Sequence, residues 1–174
     1  ARVAKIKDSL ARVGPHGLDG MAYMPYATYN EEFGPMELDQ DYLAIRWLQE
    51  NVVGSPVIVE GNMVEYHWGN RYTIYTGLPN VLGWNWHQRQ QRTITPHDWV
   101  FSRVDDVNQF FNTNDLDSAR AFLERYQVSY IIVGQLEKAR YSPEGIIKFE
   151  QGAGSLWDVV YQDRDTTIYQ TTIN

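Results

Sequence analysis

Apolar positions recur three and four apart over residues 39–53, where Tyr42, Ile45, Leu48 and Val52 share one face with Leu43 and Trp47 beside them. This spacing predicts an amphipathic helix. Asp39 stands where an N-cap belongs, Asp41 favours the first turn, and Gly54-Ser55-Pro56 ends the segment. The pattern then becomes an unbroken apolar run, Val57-Ile58-Val59, closed by Glu60, which predicts a short buried strand over 57–60. Val81-Leu82 is a second, weaker strand candidate. The helical period returns over 103–111 and 115–126. In the latter, Leu116, Ala119, Phe122, Leu123 and Tyr126 form the apolar face, and Asn114, with Asp117 three later, is placed to cap it. Residues 128–133, Val-Ser-Tyr-Ile-Ile-Val, form the strongest strand and stop at Gly134. Ser142-Pro143 opens another helix with proline at its first position. Residues 156–162 and 166–171 flank Asp163-Arg164-Asp165 as a β-hairpin.

The two ends differ in kind. Residues 1–13 carry Val3, Ile6, Leu10 and Val13 among basic residues, an amphipathic helix that either packs on its own domain or emerges from a membrane. Residues 14–36 hold Pro15, Gly17, Gly20, Pro25, Gly34 and Pro35 and read as a loop or extended arm, with Tyr23, Tyr26, Tyr29 and Phe33 as anchors. The expected organisation is an arm or linker over 1–36, leading from a preceding membrane region, and a soluble α/β domain over 37–174. A helix followed by a strand such as 128–133 is half of a parallel βαβ unit. The fold class predicted is therefore α/β, a three-layer-like sandwich with a partly parallel central sheet and a C-terminal antiparallel hairpin.

Composition narrows the chemistry. The 174 residues fit one domain, and an apolar fraction of 43% supports a core. A net charge of −7 argues against nucleic acid as a partner. The absence of cysteine excludes disulfides and thiol chemistry. No run approaches the roughly 18–20 apolar residues of a membrane span, and no signal peptide is visible. The sequence has no G-x-G-x-x-G, no Walker A loop and no G-x-S-x-G elbow, which disfavours dinucleotide binding, NTP hydrolysis and α/β-hydrolase chemistry. His16, His67, His87 and His97 lack metal-ligand spacing, so neither a metal nor a cofactor is expected.

Within this acidic chain, residues 66–92 reverse the charge. They hold Arg71, Arg89 and Arg92, no Asp or Glu, and the rings of Tyr66, Trp68, Tyr72, Tyr75, Trp84, Trp86 and His87. Arginine forks suit carboxylate or phosphate, and aromatic faces suit sugars or isoprenoid chains, so an anionic or carbohydrate ligand fits the stretch. The alternative is a Trp-rich loop pinned to the sheet, with arginines solvated or paired to acids elsewhere. Glu60, at the carboxyl end of a strand, is a site candidate together with Glu65 and Tyr66; the alternative for Glu60 is that it caps the next helix. His87, beside Trp86, is a candidate hydrogen-bonding or acid–base group.

Several blocks carry a family resemblance: Leu18-Asp19-Gly20-Met21-Ala22-Tyr23-Met24, Ala44-Ile45-Arg46-Trp47-Leu48-Gln49-Glu50-Asn51, Gly54-Ser55-Pro56-Val57-Ile58-Val59-Glu60, Trp68-Gly69-Asn70-Arg71, Tyr75-Thr76-Gly77-Leu78-Pro79, Gly83-Trp84, Trp86-His87-Gln88-Arg89-Gln90-Gln91-Arg92 and Tyr130-Ile131-Ile132-Val133-Gly134. Together they resemble the C-terminal soluble region of the YYY-type membrane proteins (Chlor_Arch_YYY), whose multi-span part is similar to GT-C glycosyltransferases. The resemblance implies an extracytoplasmic accessory domain at the cell membrane. Its implied partners are its own N-terminal membrane domain and a polyprenyl-phosphate sugar or glycan acceptor. In that class the catalytic acid sits in the membrane part, so this region would not be catalytic alone. The Trp-Trp-Asp-Tyr-Gly signature of oligosaccharyltransferases is absent, and Trp84-Asn85-Trp86-His87 is only a loose echo of it. The ligand-binding set that results is Glu60, Tyr66, Arg71, Tyr75, Trp84, Trp86, His87, Arg89 and Arg92, with no catalytic residue assigned. Two other readings stand beside it: a non-enzymatic glycan- or protein-binding module, and a hydrolase using Glu60 and His87.

Overall fold

A computed structural model of the chain describes residues 18–91 and 98–173. The amphipathic stretch at 1–13, His16, Arg92 and His97 lie outside them. In chain order the elements are β1 (Thr28–Glu31), β2 (Gly34–Glu37), α1 (Leu38–Asn51), β3 (Val57–Val59), α2 (Arg71–Thr76), α3 (Asn85–Gln91), α4 (Asp98–Asn112), α5 (Leu116–Tyr126), β4 (Val128–Val133), α6 (Gln135–Arg140), α7 (Pro143–Gln151), β5 (Trp157–Gln162) and β6 (Thr167–Thr171).

Alternation along the strands decides the layering. The main sheet has the order β3–β4–β6–β5, with β3 and β4 parallel and the other pairs antiparallel. Successive side chains of a strand point to opposite faces. Val59, Ile131, Val133 and Tyr169 join a core on one side, with Phe110 and Phe111 of α4, Phe122 and Leu123 of α5 and Phe149 of α7. Ile58, Ile132 and Ile168 join a second core on the other side, with Ile45 and Leu48 of α1 and Tyr72 of α2. Two helical layers with a sheet between them satisfy the predicted sandwich, and the partly parallel sheet and C-terminal hairpin are both present.

The details differ from the expectations where local chemistry had more than one solution. Residues 28–37 form the β1–β2 hairpin instead of a loop, with Gly34 at φ 125°. Residues 21–36 contribute Met21, Met24, Ala27 and Met36 to the second core, while Tyr26 and Phe33 stay exposed. Helix α1 begins one residue early. Its N-cap is Glu37, and Asp39 instead pairs with Arg164 at 2.9 Å across to the β5–β6 turn. Helix α5 is capped by Asp115, whose carboxylate accepts from the Asp117 and Ser118 N–H groups, in place of Asn114. Val81 and Leu82 form no strand: Asn80 makes a lone bridge to Ile58, and both apolar side chains are buried in the first core. Helices α2, α3 and α6, of six or seven residues each, are too short for a clear period.

Helix α7 closes the first core. Lys148, fully buried, donates to the carbonyls of Phe110, near the end of α4, and Gly145, and lies 4.1 Å from the Phe149 ring centre. Burial pulls its pKa down to about 7. The close approach of α7 to α4 requires Gly145, because a Cβ there would stand 2.1 Å from the Phe111 carbonyl oxygen. Gly145→Ala is expected to destabilise the domain by about 1–3 kcal/mol. Gly20→Ala, which meets nothing within 4 Å, is expected to stay within about 0.5 kcal/mol. Urea unfolding followed by tryptophan fluorescence checks both, and equal midpoints for the two variants would contradict this packing.

Candidate functional site

Parallel pairing of β3 and β4 brings their carboxyl ends to one edge of the sheet, the edge at which open α/β sheets bind ligands. Glu60 leaves β3 there, and Glu137 stands in the first turn of α6 just after β4. Glu137 Oε1 accepts from the Gly61 N–H at 2.8 Å and Oε2 from the Gly134 N–H at 2.9 Å, tying the two ends together. Arg71, at the start of α2, occupies the edge. Its Nε lies 2.9 Å from Asp41 Oδ2, its terminal nitrogens donate to Glu137 at 3.2 and 3.0 Å, and one also reaches Glu60 at 3.5 Å. Asp41 further accepts from the Tyr72 hydroxyl at 2.9 Å and the Trp68 indole at 2.6 Å.

Arg71 is 1% exposed. This corrects the expectation that it offers its fork to a ligand, since its nitrogens already face three protein carboxylates. Glu60 is also buried and takes the capping role instead. It accepts from the Tyr72 and Thr73 N–H groups at the start of α2, and from Asn80 Nδ2 at 3.2 Å. Burial raises its pKa to about 7, against the pull of Arg71. Burial works in the same direction on Glu137, but the charge and hydrogen bonds of Arg71, with the two backbone donors, outweigh it and hold Glu137 below the usual range. A Glu60–His87 hydrolase therefore lacks an accessible acid. Tyr75 is turned away too, pairing its hydroxyl with Tyr23 at 2.8 Å.

Above this buried cluster lies an open aromatic group. Tyr66 has a left-handed backbone, φ 66°, and is 63% exposed. Its hydroxyl meets His87 Nε2 at 3.1 Å, and its ring lies 5.8 Å from Trp84 and 5.6 Å edge-on to His87. Trp84 and His87 rings are 5.2 Å apart. Glu65 Oε1 accepts from the Trp86 N–H at 2.6 Å near the start of α3. From α3, Arg89 lies between the exposed rings of Trp86 and Phe101, at 4.8 and 4.9 Å. Beside Trp84 and His87 opens a cleft of about 360 Å³ whose other walls include Asn70, Thr73, Asn80 and Leu82.

The structure thus brings Tyr66, Trp84 and His87 together, sets Trp86 and Arg89 on the same short helix as His87, and withdraws Glu60, Arg71 and Tyr75. Asn70, Thr73 and Asn80 were not candidates, because polar residues in irregular sequence carry no pattern. Among the described residues no cluster of acids and histidines is arranged for a metal ion, and no helix is long and apolar enough to cross a membrane.

The fold is similar to the C-terminal globular domain of the oligosaccharyltransferase AfAglB-S2 from Archaeoglobus fulgidus. The TM-score is 0.51 at 17% identity, over 79% of this chain and 100% of that one. No protein-family model and no curated protein matches the sequence.

Removing Arg71 leaves three buried carboxylates facing one another, so Arg71→Ala is expected to cost about 3–5 kcal/mol in urea unfolding. Arg71→Lys should recover only part, since one ammonium cannot reach all three. A loss under about 0.5 kcal/mol, typical of a surface site, would refute the keystone role. The cluster also sets a pH dependence. Glu60 has its folded pKa raised from 4.5 to about 7, so its contribution is present below pH 4.5 and is lost as the pH rises to about 7. Glu137, held low, works oppositely, and its contribution is lost as the pH falls below its unfolded value. Glu60→Gln is expected to flatten the decline between these two pH values when melting temperature is followed against pH. An unaltered slope would mean that Glu60 does not titrate there.

Proposed function

We propose that this chain is the extracytoplasmic accessory domain of a polytopic membrane glycosyltransferase of the GT-C plan, similar to the YYY-type proteins. In this proposal its aromatic face helps to bind a lipid-linked sugar or its acceptor. The observation that carries the proposal is the shared fold over the full length of a domain that belongs to an oligosaccharyltransferase. The position of the rings supports it. Tyr66 and Trp86 are exposed and Trp84 and His87 half-buried, all outside the filled sheet edge, with Arg89 against Trp86. Aromatic rings with polar tips suit a surface that meets both a sugar and an isoprenoid chain. In this arrangement the reacting carboxylate belongs to the membrane part, and the present chain supplies binding and orientation.

The test uses membranes carrying the product of the whole gene, supplied with a polyprenyl-phosphate sugar labelled in the sugar. Tyr66→Ala and Trp86→Ala are expected to lower transfer at least about fivefold, about 1 kcal/mol of binding, with the melting temperature of the domain unchanged. Unchanged transfer in both variants would remove the aromatic face from the reaction. Binding of glycans without any transfer by the wild type would favour the non-enzymatic module.

A further inference from the structure

Trp99, Ser102 and Arg103 are spaced three and four apart on α4, so they share a face turned away from Phe101. With Arg125 and Tyr126 at the end of α5 they line a cleft of about 470 Å³. The Arg103 guanidinium carbon lies over two rings, 4.8 Å from the centre of Trp99 and 5.4 Å from that of Tyr126. Arg125 approaches the same Tyr126 ring at 5.2 Å. Two like charges on one ring repel each other, and one of them is offset by Asp106. That carboxylate accepts from Arg125 at 2.9 Å and from the Tyr126 hydroxyl.

Arg103 has no such acid. Among the described residues its one hydrogen bond runs from Nη1 to the Val81 carbonyl, at 2.9 Å. Its Nε and Nη2 have no partner among those residues and are open to solvent. Arg125 is exposed as well, its side chain to 61%. A guanidinium stacked on a ring keeps its N–H groups in its own plane, and a plane held in advance loses little freedom when those groups bond. The rings of Trp99 and Tyr126 therefore hold a charged fork in the wall of the cleft, ready for an oxyanion.

The number of donors selects the anion. A carboxylate has two oxygens and is satisfied by one fork. Here forks from two helices and the Ser102 hydroxyl line one space. A phosphate monoester offers three acceptor oxygens and, with a second pKa of about 6, carries close to two charges at neutral pH. A phosphodiester offers two such oxygens and one charge. We infer that the cleft between α4 and α5 is a binding site for the terminal phosphate of a phosphate monoester, gripped by Arg103 and Arg125. Neither the aromatic face nor the proposed glycosyl transfer enters this reading, so the two fail separately. The net charge of −7 opposes any anion, and binding should be weak and sensitive to salt.

The ¹⁵N-labelled chain is titrated at neutral pH and low salt with inorganic phosphate, phenyl phosphate, geranyl phosphate, dimethyl phosphate and acetate. The readouts are the Arg103 Nε–H signal, assigned by its loss in Arg103→Lys, and the Trp99 indole signal, assigned by its loss in Trp99→Phe. Phenyl phosphate is expected to shift both with a Kd of about 0.1–1 mM, and dimethyl phosphate and acetate to bind at least about tenfold more weakly. Arg103→Lys keeps the charge and loses the fork, and should weaken phenyl phosphate about tenfold at the Trp99 signal. Arg125→Gln, at an exposed position, should weaken it about fivefold at unchanged melting temperature. Geranyl phosphate binding more tightly than inorganic phosphate would support the site and make a lipid carrier its source. Equal affinities would support it with a free phosphate as the source. Acetate or dimethyl phosphate binding as tightly as the monoesters would reduce the cleft to general attraction of anions and overturn the inference. So would the absence of any shift up to about 10 mM, or an affinity for phenyl phosphate that Arg103→Lys and Arg125→Gln leave unchanged.

Discussion

A single buried guanidinium ties four parts of this fold together. Arg71 comes from α2, Asp41 from α1, Glu60 from the end of β3 and Glu137 from the start of α6. Burying a charge is expensive, and only close partners make it tolerable. Here the acids outnumber the cation three to one. The excess falls on Glu60, where burial outweighs the single positive charge nearby and raises the pKa. The same carboxyl group holds the first turn of α2 and the amide of Asn80. Thr73 and Asn80, in the wall of the cleft beside Trp84, are therefore held by a buried charge cluster.

That arrangement closes the sheet edge and leaves the open aromatic surface elsewhere. The carboxyl edge of a parallel pair ordinarily stays open, because the strand ends leave a crevice between successive connections. In this protein Arg71 and the loop from Gly61 to Asn70 fill it. Gly61 sits so close to Glu137 that a Cβ would lie 2.9 Å from its oxygen. What remains open lies further out, where Tyr66 of the 61–70 loop meets Trp84 before α3, with Trp86 on α3.

The legibility of the sequence follows the same division. The long elements showed because period and burial agree. Helix α1 and strand β4 carry enough apolar positions to be read as elements, and in the structure Ile131 and Ile132 of β4 face the two cores. Three acids for Arg71 could not be read, because they come from residues 41, 60 and 137 and meet only through the parallel pairing of β3 with β4 and the packing of α1 on the sheet. A count of charges within 66–92 found an arginine without acids and took it for a binding group. The same count took in Arg89, which lies between the rings of Trp86 and Phe101. Glu60 had a capping role open to it from the start, and hydrogen bonding to α2 selected that role. The short helices α2 and α3 were invisible because each spans fewer than two or three turns, and distant side chains rather than local propensity hold them.

Tyr66 shows what such a scaffold makes possible. A bulky residue at φ 66° is strained, by about 1–3 kcal/mol, and a loop free to relax would give that conformation up. This loop is not free. Before Tyr66, the Gly61 N–H is bound by Glu137 and the Asn62 N–H by the Tyr141 hydroxyl. After it, the Trp68 N–H is bound by Glu31 at 2.7 Å and the Trp68 indole by Asp41. His67 is clamped as well, its Nδ1 2.7 Å from Glu31. With both flanks fixed to acids of other elements, the strain at the middle residue persists. The ring of Tyr66 is held outward against Trp84 and His87 instead of folding back onto the core. Asp41, which fixes one flank, is also a partner of Arg71, so the exposed aromatic group inherits its geometry from the buried charge beneath it.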